Sequence, residues 1–306
     1  MAGKNLIVVA GPTAVGKTAV AIRLAREFET AVVSADSRQI FREMTIGTAK
    51  PTAAERQEIP HYFLDSHSVV EDYDAARYAG EALNLLEDLF RRHNEVVLCG
   101  GSGLYIRAVC EGFDEMPEVP ADVRRDLVEQ FEKNGLAWLQ QRMLELDPAG
   151  FSNVDQKNPH RLIRALEVRL HTGESILSFR KNQKQARTFD VIKIGLELPR
   201  EELYDRIDAR MDQMIQVGLF EEARQLYPLR HHNALQTVGY QEIFGFMDNR
   251  YDRDECVRLL KRNSRRYAKR QITWFKKDPD FRWFHPSQVD VIIAYLRNAT
   301  ANTNPI

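Results

Sequence analysis

Gly11-Pro12-Thr13-Ala14-Val15-Gly16-Lys17-Thr18 is the stretch that decides the fold. It fits GxxxxGK[ST] at every fixed position, follows the apolar run 6–10 and precedes apolar residues at helical spacing over 19–28. Strand, glycine-rich turn and helix are the context in which this motif works. Glycines let backbone N–H groups converge on a phosphate, and the helix N-terminus adds the positive end of its dipole. Lys17 supplies a mobile cation and the Thr18 hydroxyl an oxygen suited to Mg²⁺. The loop from Gly11 to Thr18 therefore reads as a cradle for a di- or triphosphate, ATP being one candidate.

Outward from this loop, three more short apolar runs, 31–34, 96–99 and 191–198, have the Val/Ile/Leu character of strands buried on both faces. A helical pattern over 78–92 precedes the third strand, with Leu83, Leu86 and Phe90 on one side. Alternating strands and helices indicate an α/β fold with a P-loop NTPase-like parallel sheet. Residues 114–187 break the alternation: helices are expected over 123–133, 137–146 and 159–171, with Asp147-Pro148 as a stop and Pro159 in a first turn. The expected organisation is thus a catalytic core of residues 1–113 and 188–306, with C-terminal helices and a weakly patterned tail over 298–306. Residues 114–187 form an inserted helical domain.

Over its 306 residues the chain balances 43 Lys and Arg against 44 Asp and Glu, a net charge of −1, so the total gives no sign of a polyanion partner. Its distribution does. Between 258 and 277 stand Arg258, Lys261, Arg262, Arg265, Arg266, Lys269, Arg270, Lys276 and Lys277, with no acid and with Tyr267, Trp274 and Phe275 interleaved. Such a stripe can follow a phosphate backbone, or it can be a solvated helix face. Within the insertion, Lys157, Arg161, Arg164, Arg169, Arg180, Lys181, Lys184 and Arg187 outnumber Asp155, Glu167 and Glu174. Three dispersed cysteines exclude a disulfide framework or zinc ribbon. The histidines form no metal pattern. No apolar run reaches membrane length, and the amino-terminal residues lack a signal-peptide core, so a cytoplasmic protein is expected.

Phosphate-loop enzymes that transfer phosphoryl groups usually place an Asp after a second apolar strand. The run 96–99 ends instead in Gly100-Gly101-Ser102-Gly103, while 31–34 leads into Ala35-Asp36-Ser37-Arg38-Gln39. Asp36 is therefore the acid at the ligand-binding edge. It can serve chemistry there, or, with Gln39 three residues on, form a capping box. Arg206 and Arg210 lie one turn apart on one helical face, free for a phosphate or paired with Asp205, Asp208 or Asp212.

The phosphate loop, Ser34-Ala35-Asp36-Ser37-Arg38-Gln39, Met44-Thr45-Ile46-Gly47-Thr48-Ala49-Lys50-Pro51 and Gly100–Tyr105, taken in order, resemble the tRNA dimethylallyltransferase family, in a bacterial form. The likeness continues through Asn158–Glu167 and Val238-Gly239-Tyr240-Gln241-Glu242 to Lys269-Arg270-Gln271-Ile272-Thr273-Trp274. It implies transfer of a dimethylallyl group from dimethylallyl diphosphate to the exocyclic amine of the adenosine 3′ of the anticodon. Mg²⁺ assists, and the phosphate loop holds the leaving diphosphate. By that resemblance Asp36 is the general base, Thr13 touches Asp36 and the diphosphate, and Lys17 and Arg210 act on the diphosphate with Arg206 as second choice. The tRNA anticodon stem-loop would meet Asp36, Ser37, Arg38, Gln39, Ser102, Arg124, His160, Arg161, Leu162, Ile163, Arg164, Gly239, Tyr240, Gln241, Lys269, Arg270 and Gln271. A monomer is expected. Ser102-Gly103 departs from the Thr and larger residue usual in the family, which puts local packing in question. Rival readings are an isopentenyltransferase acting on free AMP, ADP or ATP, a small-molecule kinase, and a nucleotide-switched RNA-binding protein.

Overall fold

The computed structural model describes residues 3–181 and 183–302. The chain divides into two compact units, one of Met1–Glu111 with Ala186–Ile306 and one of Gly112–Gln185. The first is built on six parallel strands: β1 Asn5–Ala10, β2 Val32–Ser34, β3 His61–Tyr62, β4 Glu95–Gly100, β5 Asp190–Leu196 and β6 Arg282–Phe284. Their spatial order is β3-β2-β4-β1-β5-β6. Every residue of β1 is buried, as expected of a central strand covered on both faces. The chain leaves β1 toward β2 and leaves β4 toward β5, in opposite directions. This opens a crevice at the carboxyl ends of β1 and β4, where ligands of open α/β sheets bind.

Two strands escape the sequence reading. β3 has two residues and β6 three, too short to show a period, and β6 interrupts a stretch that otherwise reads as helix.

The helices of this unit before the insertion are α1 Lys17–Glu27, α2 Ala53–Glu58, α3 Ala75–Phe90 and α4 Gly103–Glu111. α3 starts before the sequence pattern does because Asp74 caps it, accepting the N–H groups of Ala76 and Arg77.

The second unit contains α5 Ala121–Leu146, α6 Pro148–Asn153, α7 Pro159–Thr172 and α8 Ile176–Phe179. The two helices expected before Asp147 are halves of α5, which breaks at Gly135 (φ 76°, ψ −173°). Asp147 starts α6 by accepting the Gly150 N–H, and its other oxygen accepts the Ser175 hydroxyl. Leu127, Leu139, Met143, Leu162, Ile163 and Leu166 form the core of this unit.

The chain returns to the first unit with α9 Arg200–Gln216, α10 Leu219–Leu226, α11 Tyr240–Met247, α12 Arg253–Phe275 and α13 Val289–Asn302. α13 takes up most of the expected tail, and residues 303–306 lie outside the described residues. Among the described residues no helix is long and apolar enough to cross a membrane.

Candidate active site

The phosphate loop joins β1 to α1 at the crevice. Gly16 is the residue before α1, with φ of 104°, a conformation that costs glycine nothing and other residues about 1 kcal/mol or more. The Lys17 ammonium donates to the carbonyls of Gly11 at 3.0 Å and Pro12 at 2.7 Å. Burial lowers its pKa to about 8, opposed by Cys99 and Asp36 and assisted by Arg210.

Asp36 follows β2, and the capping box open to it does not form, because the Gln39 side chain engages Ser34, Thr48 and Ala49 instead. Asp36 Oδ1 accepts the N–H groups of Arg38 at 2.9 Å and Gln39 at 3.3 Å, closing a turn that no helix follows. Its Oδ2 has no hydrogen bond among the described residues and is left to a ligand.

One cleft gathers Thr13, Ala14, Asp36, Arg38, Arg210 and Tyr267 with Ile207, Met211, Met214, Leu219 and Val238. Thr13 and Ala14 come from the phosphate loop, Asp36 and Arg38 from the loop after β2, and Arg210 from α9 together with the apolar Ile207, Met211 and Met214. Charged and apolar groups thus meet in one cleft, as a ligand with a charged head and a hydrocarbon tail requires. Burial pulls the Arg210 guanidinium below its usual pKa, with Asp36 opposing. Arg206 is exposed, and its Nη2 lies 3.6 Å from where a Cβ on Gly16 would stand.

Arg206 pairs with Glu202 at 3.9 Å, whereas two of the acids near Arg210 in sequence are engaged elsewhere. Asp208 pairs with Arg265 and Asp212 with Lys261, both on α12. No ion pair of Arg210 occurs among the described residues. These pairs also correct the basic stripe: Arg258 pairs with Glu255 as well, so three cations of its amino-terminal half, Arg258, Lys261 and Arg265, are neutralised. In its carboxyl-terminal half Lys276 pairs with Glu197 at 2.8 Å, and the other cations stay open. Arg266, Lys269, Arg270, Thr273, Trp274 and Lys277 line a surface cleft, with Trp274 40% exposed.

The glycine loop after β4 makes its close approaches to protein. A Cβ on Gly100 would overlap the Ala35 carbonyl, one on Gly101 the Gln271 amide, and one on Gly103 the Trp274 indole. The Ser102-Gly103 departure thus has a packing reason, since the indole occupies the space a larger residue would fill. Ser102 Oγ accepts the Ser37 N–H at 2.9 Å and donates to Ser37 Oγ, tying the loops after β2 and β4 together.

Five residues expected to contact RNA are turned inward. Leu162 and Ile163 lie on the apolar face of α7 in the core. Tyr240 is 0% exposed, and its hydroxyl donates to Glu222 at 2.6 Å. Gln39 Nε2 donates to the carbonyls of Thr48 and Ala49. Gln271 is 6% exposed and bonded at both ends of its amide. By contrast His160, Arg161, Gln241, Lys269 and Arg270 are exposed, and Gly239 lines the cleft. Arg124 and Arg164 both pair with Glu167, itself 2% exposed, at 3.0 and 2.5 Å.

Glu222 was not legible as a site residue. Oε2 accepts the N–H groups of Thr45 and Ile46, and Oε1 those of Gly47 and the Tyr240 hydroxyl, all within 2.9 Å. It thereby fixes the loop that carries Gly47 and Thr48 into the cleft. Burial, followed by the Glu222 charge, pushes the Tyr240 hydroxyl far above its usual pKa, so it remains a donor.

The profile of a family described as IPP transferase matches residues 39–278. A tRNA dimethylallyltransferase of Cytophaga hutchinsonii is 52% identical over 96% of this chain and 96% of its own. The tRNA dimethylallyltransferase 1 of Bacteroides fragilis is 46% identical over 97% and 99%. Among solved structures, the full-length tRNA isopentenylpyrophosphate transferase of Bacillus halodurans superposes with a TM-score of 0.74 at 34% identity, covering 98% of each chain. A eukaryotic dimethylallyltransferase captured acting on tRNA gives 0.76 at 26% identity, covering 99% of this chain and 81% of that one.

Proposed function

Since the chain belongs to the IPP transferase family, we infer that it transfers a dimethylallyl group from dimethylallyl diphosphate to the exocyclic amine of an adenosine in tRNA, releasing diphosphate. The observation that carries this reading is the cleft. A carboxylate with a free oxygen, Asp36, lines it with Arg210, the phosphate-loop residues Thr13 and Ala14 and five apolar side chains.

An adenine amine is a weak nucleophile because its lone pair is shared with the ring. As its nitrogen bonds to the allylic carbon, the carbon–oxygen bond to the diphosphate breaks and the electron pair leaves with that oxygen. The amine proton passes to Asp36 Oδ2, within whose reach the base must be extruded from the stacked loop. Charge growing on the diphosphate meets loop amides, Lys17 and Arg210. Ile207, Met211, Met214, Leu219 and Val238 receive the hydrocarbon and keep water from competing for the allylic carbon.

Mg²⁺ suits the donors at this site. Among the described residues no three His, Cys, Asp or Glu side chains converge as a cage, and Thr18 offers a hydroxyl beside the phosphate loop. This is the chemistry of an ion held chiefly by ligand oxygens and water. When bound, it neutralises part of the diphosphate charge.

The adenosine 3′ of the anticodon is the proposed acceptor, its RNA meeting the open cations of α12. The proposed location is the cytoplasm, in keeping with a tRNA substrate, and the proposed working unit is a monomer, since one chain makes the cleft. Supplying labelled dimethylallyl diphosphate with either bulk tRNA or AMP tests the reading: label should enter tRNA, and label entering only AMP would overturn it.

A further inference from the structure

α12 presents different side chains on different sides. Ser264 and Tyr267 line the cleft, and Lys269, Arg270 and Trp274 open outward. Gln271, between the outward-facing residues in sequence, points instead at the phosphate loop. The Thr13 N–H donates to its Oε1 at 2.9 Å, and its Nε2 donates to the Gly101 carbonyl at 2.9 Å. One amide thus fastens the loop after β1 to the loop after β4. The residue type is dictated, because a carboxylate could not donate and an ammonium could not accept. Gly101 has to lack a Cβ for the amide to fit.

The peptide unit between Pro12 and Thr13 is held at both ends. Its N–H is the one committed to Gln271, and its carbonyl is the oxygen that receives the Lys17 ammonium at 2.7 Å. A peptide plane is rigid, so fixing the direction of the N–H fixes that of the carbonyl. Gln271 therefore fixes the nearer of the two carbonyls on which Lys17 rests, the other being that of Gly11.

We propose that Gln271 is a positioning residue for the diphosphate. It acts through the Pro12–Thr13 peptide on Lys17 and makes no contact with RNA. The proposal rests on the reading of the phosphate loop as the diphosphate site.

The test uses the full chain and two variants, Gln271→Leu, which keeps the volume but neither accepts nor donates, and Gly101→Ala, which displaces the amide while leaving Gln271 in place. Inorganic diphosphate with Mg²⁺ is titrated by calorimetry and bulk tRNA by filter binding, with folding checked by thermal melts. Both variants should lose diphosphate affinity about tenfold or more, the worth of a charge-assisted contact, while tRNA affinity stays within about twofold. Weakened tRNA binding with diphosphate unchanged would make Gln271 an RNA contact and overturn the proposal. So would two unchanged affinities, or an equal loss of both, which a loosened helix would give. If the wild-type chain takes up no diphosphate, the reading of the loop fails and the positioning role with it.

Discussion

Raising the pH from 7 to 9 should loosen the grip on the donor, and the structure sets by how much. Lys17, buried beneath the loop, has a pKa of about 8 in the free protein. A bound diphosphate favours the cation and raises that pKa, so donor affinity is full below about 8 and falls as the pH rises past it. Over this interval the protonated fraction drops from roughly nine-tenths to one-tenth. Affinity should therefore fall about tenfold, or about 1.4 kcal/mol. Neighbouring groups are silent in this window: burial pushes Cys99 and Tyr267 up to about 12, and guanidinium groups keep their charge. Calorimetric titration with dimethylallyl diphosphate in two buffers of different ionisation heat reads both the affinity and the proton taken up above pH 8. Lys17→Met, weaker throughout, should bind with a flat pH profile once the donor's own titration is subtracted. A wild-type affinity that matches this flat profile between pH 7 and 9 would refute the argument.

Arg210→Ala should weaken diphosphate binding by about 10- to 100-fold, the range for hydrogen bonds to charged groups, and Arg206→Ala by distinctly less, because only Arg210 faces Asp36 in the cleft. Competition with inorganic diphosphate measures both. Glu222→Ala strands three backbone N–H groups and the Tyr240 hydroxyl; a stability loss of about 1–3 kcal/mol in urea melts should accompany a higher KM for the donor. Gly100→Ala forces a methyl onto the Ala35 carbonyl, and thermal melts should show a loss of about 3 kcal/mol, at the upper end for overpacking.

The phosphate loop, Asp36 and the Arg206–Arg210 pair were legible because each is local: a motif, a strand end and a helical spacing. What was not legible depends on residues far apart in the chain. The acids that neutralise Lys261 and Arg265 lie 49 and 57 residues away on α9, beyond the reach of any count within the stripe. Glu222 gives no signal of its own, since an acid in the first turn of α10 looks like ordinary dipole compensation. Burial on two helices, by contrast, is readable from their periodicity. Leu260, Ser264, Ala268, Gln271 and Phe275 recur at helical spacing on the buried side of α12, so periodicity alone places Gln271 inward. The same reading of α7 puts Leu162, Ile163 and Leu166 in the core rather than against RNA.

In the proposed mechanism one carboxylate takes the amine proton while the loop holds the departing diphosphate. Single-turnover transfer to tRNA by Asp36→Asn, with donor affinity measured on the same preparation, tests it most directly. Asparagine keeps Oδ1 to close the turn with Arg38 and Gln39 but cannot accept the proton at the second position. The rate should fall by roughly 10²–10⁴-fold, the contribution of a general base, with donor affinity and tRNA binding retained. Transfer at the wild-type rate, with the dimethylallyl group on the same adenosine, would contradict it.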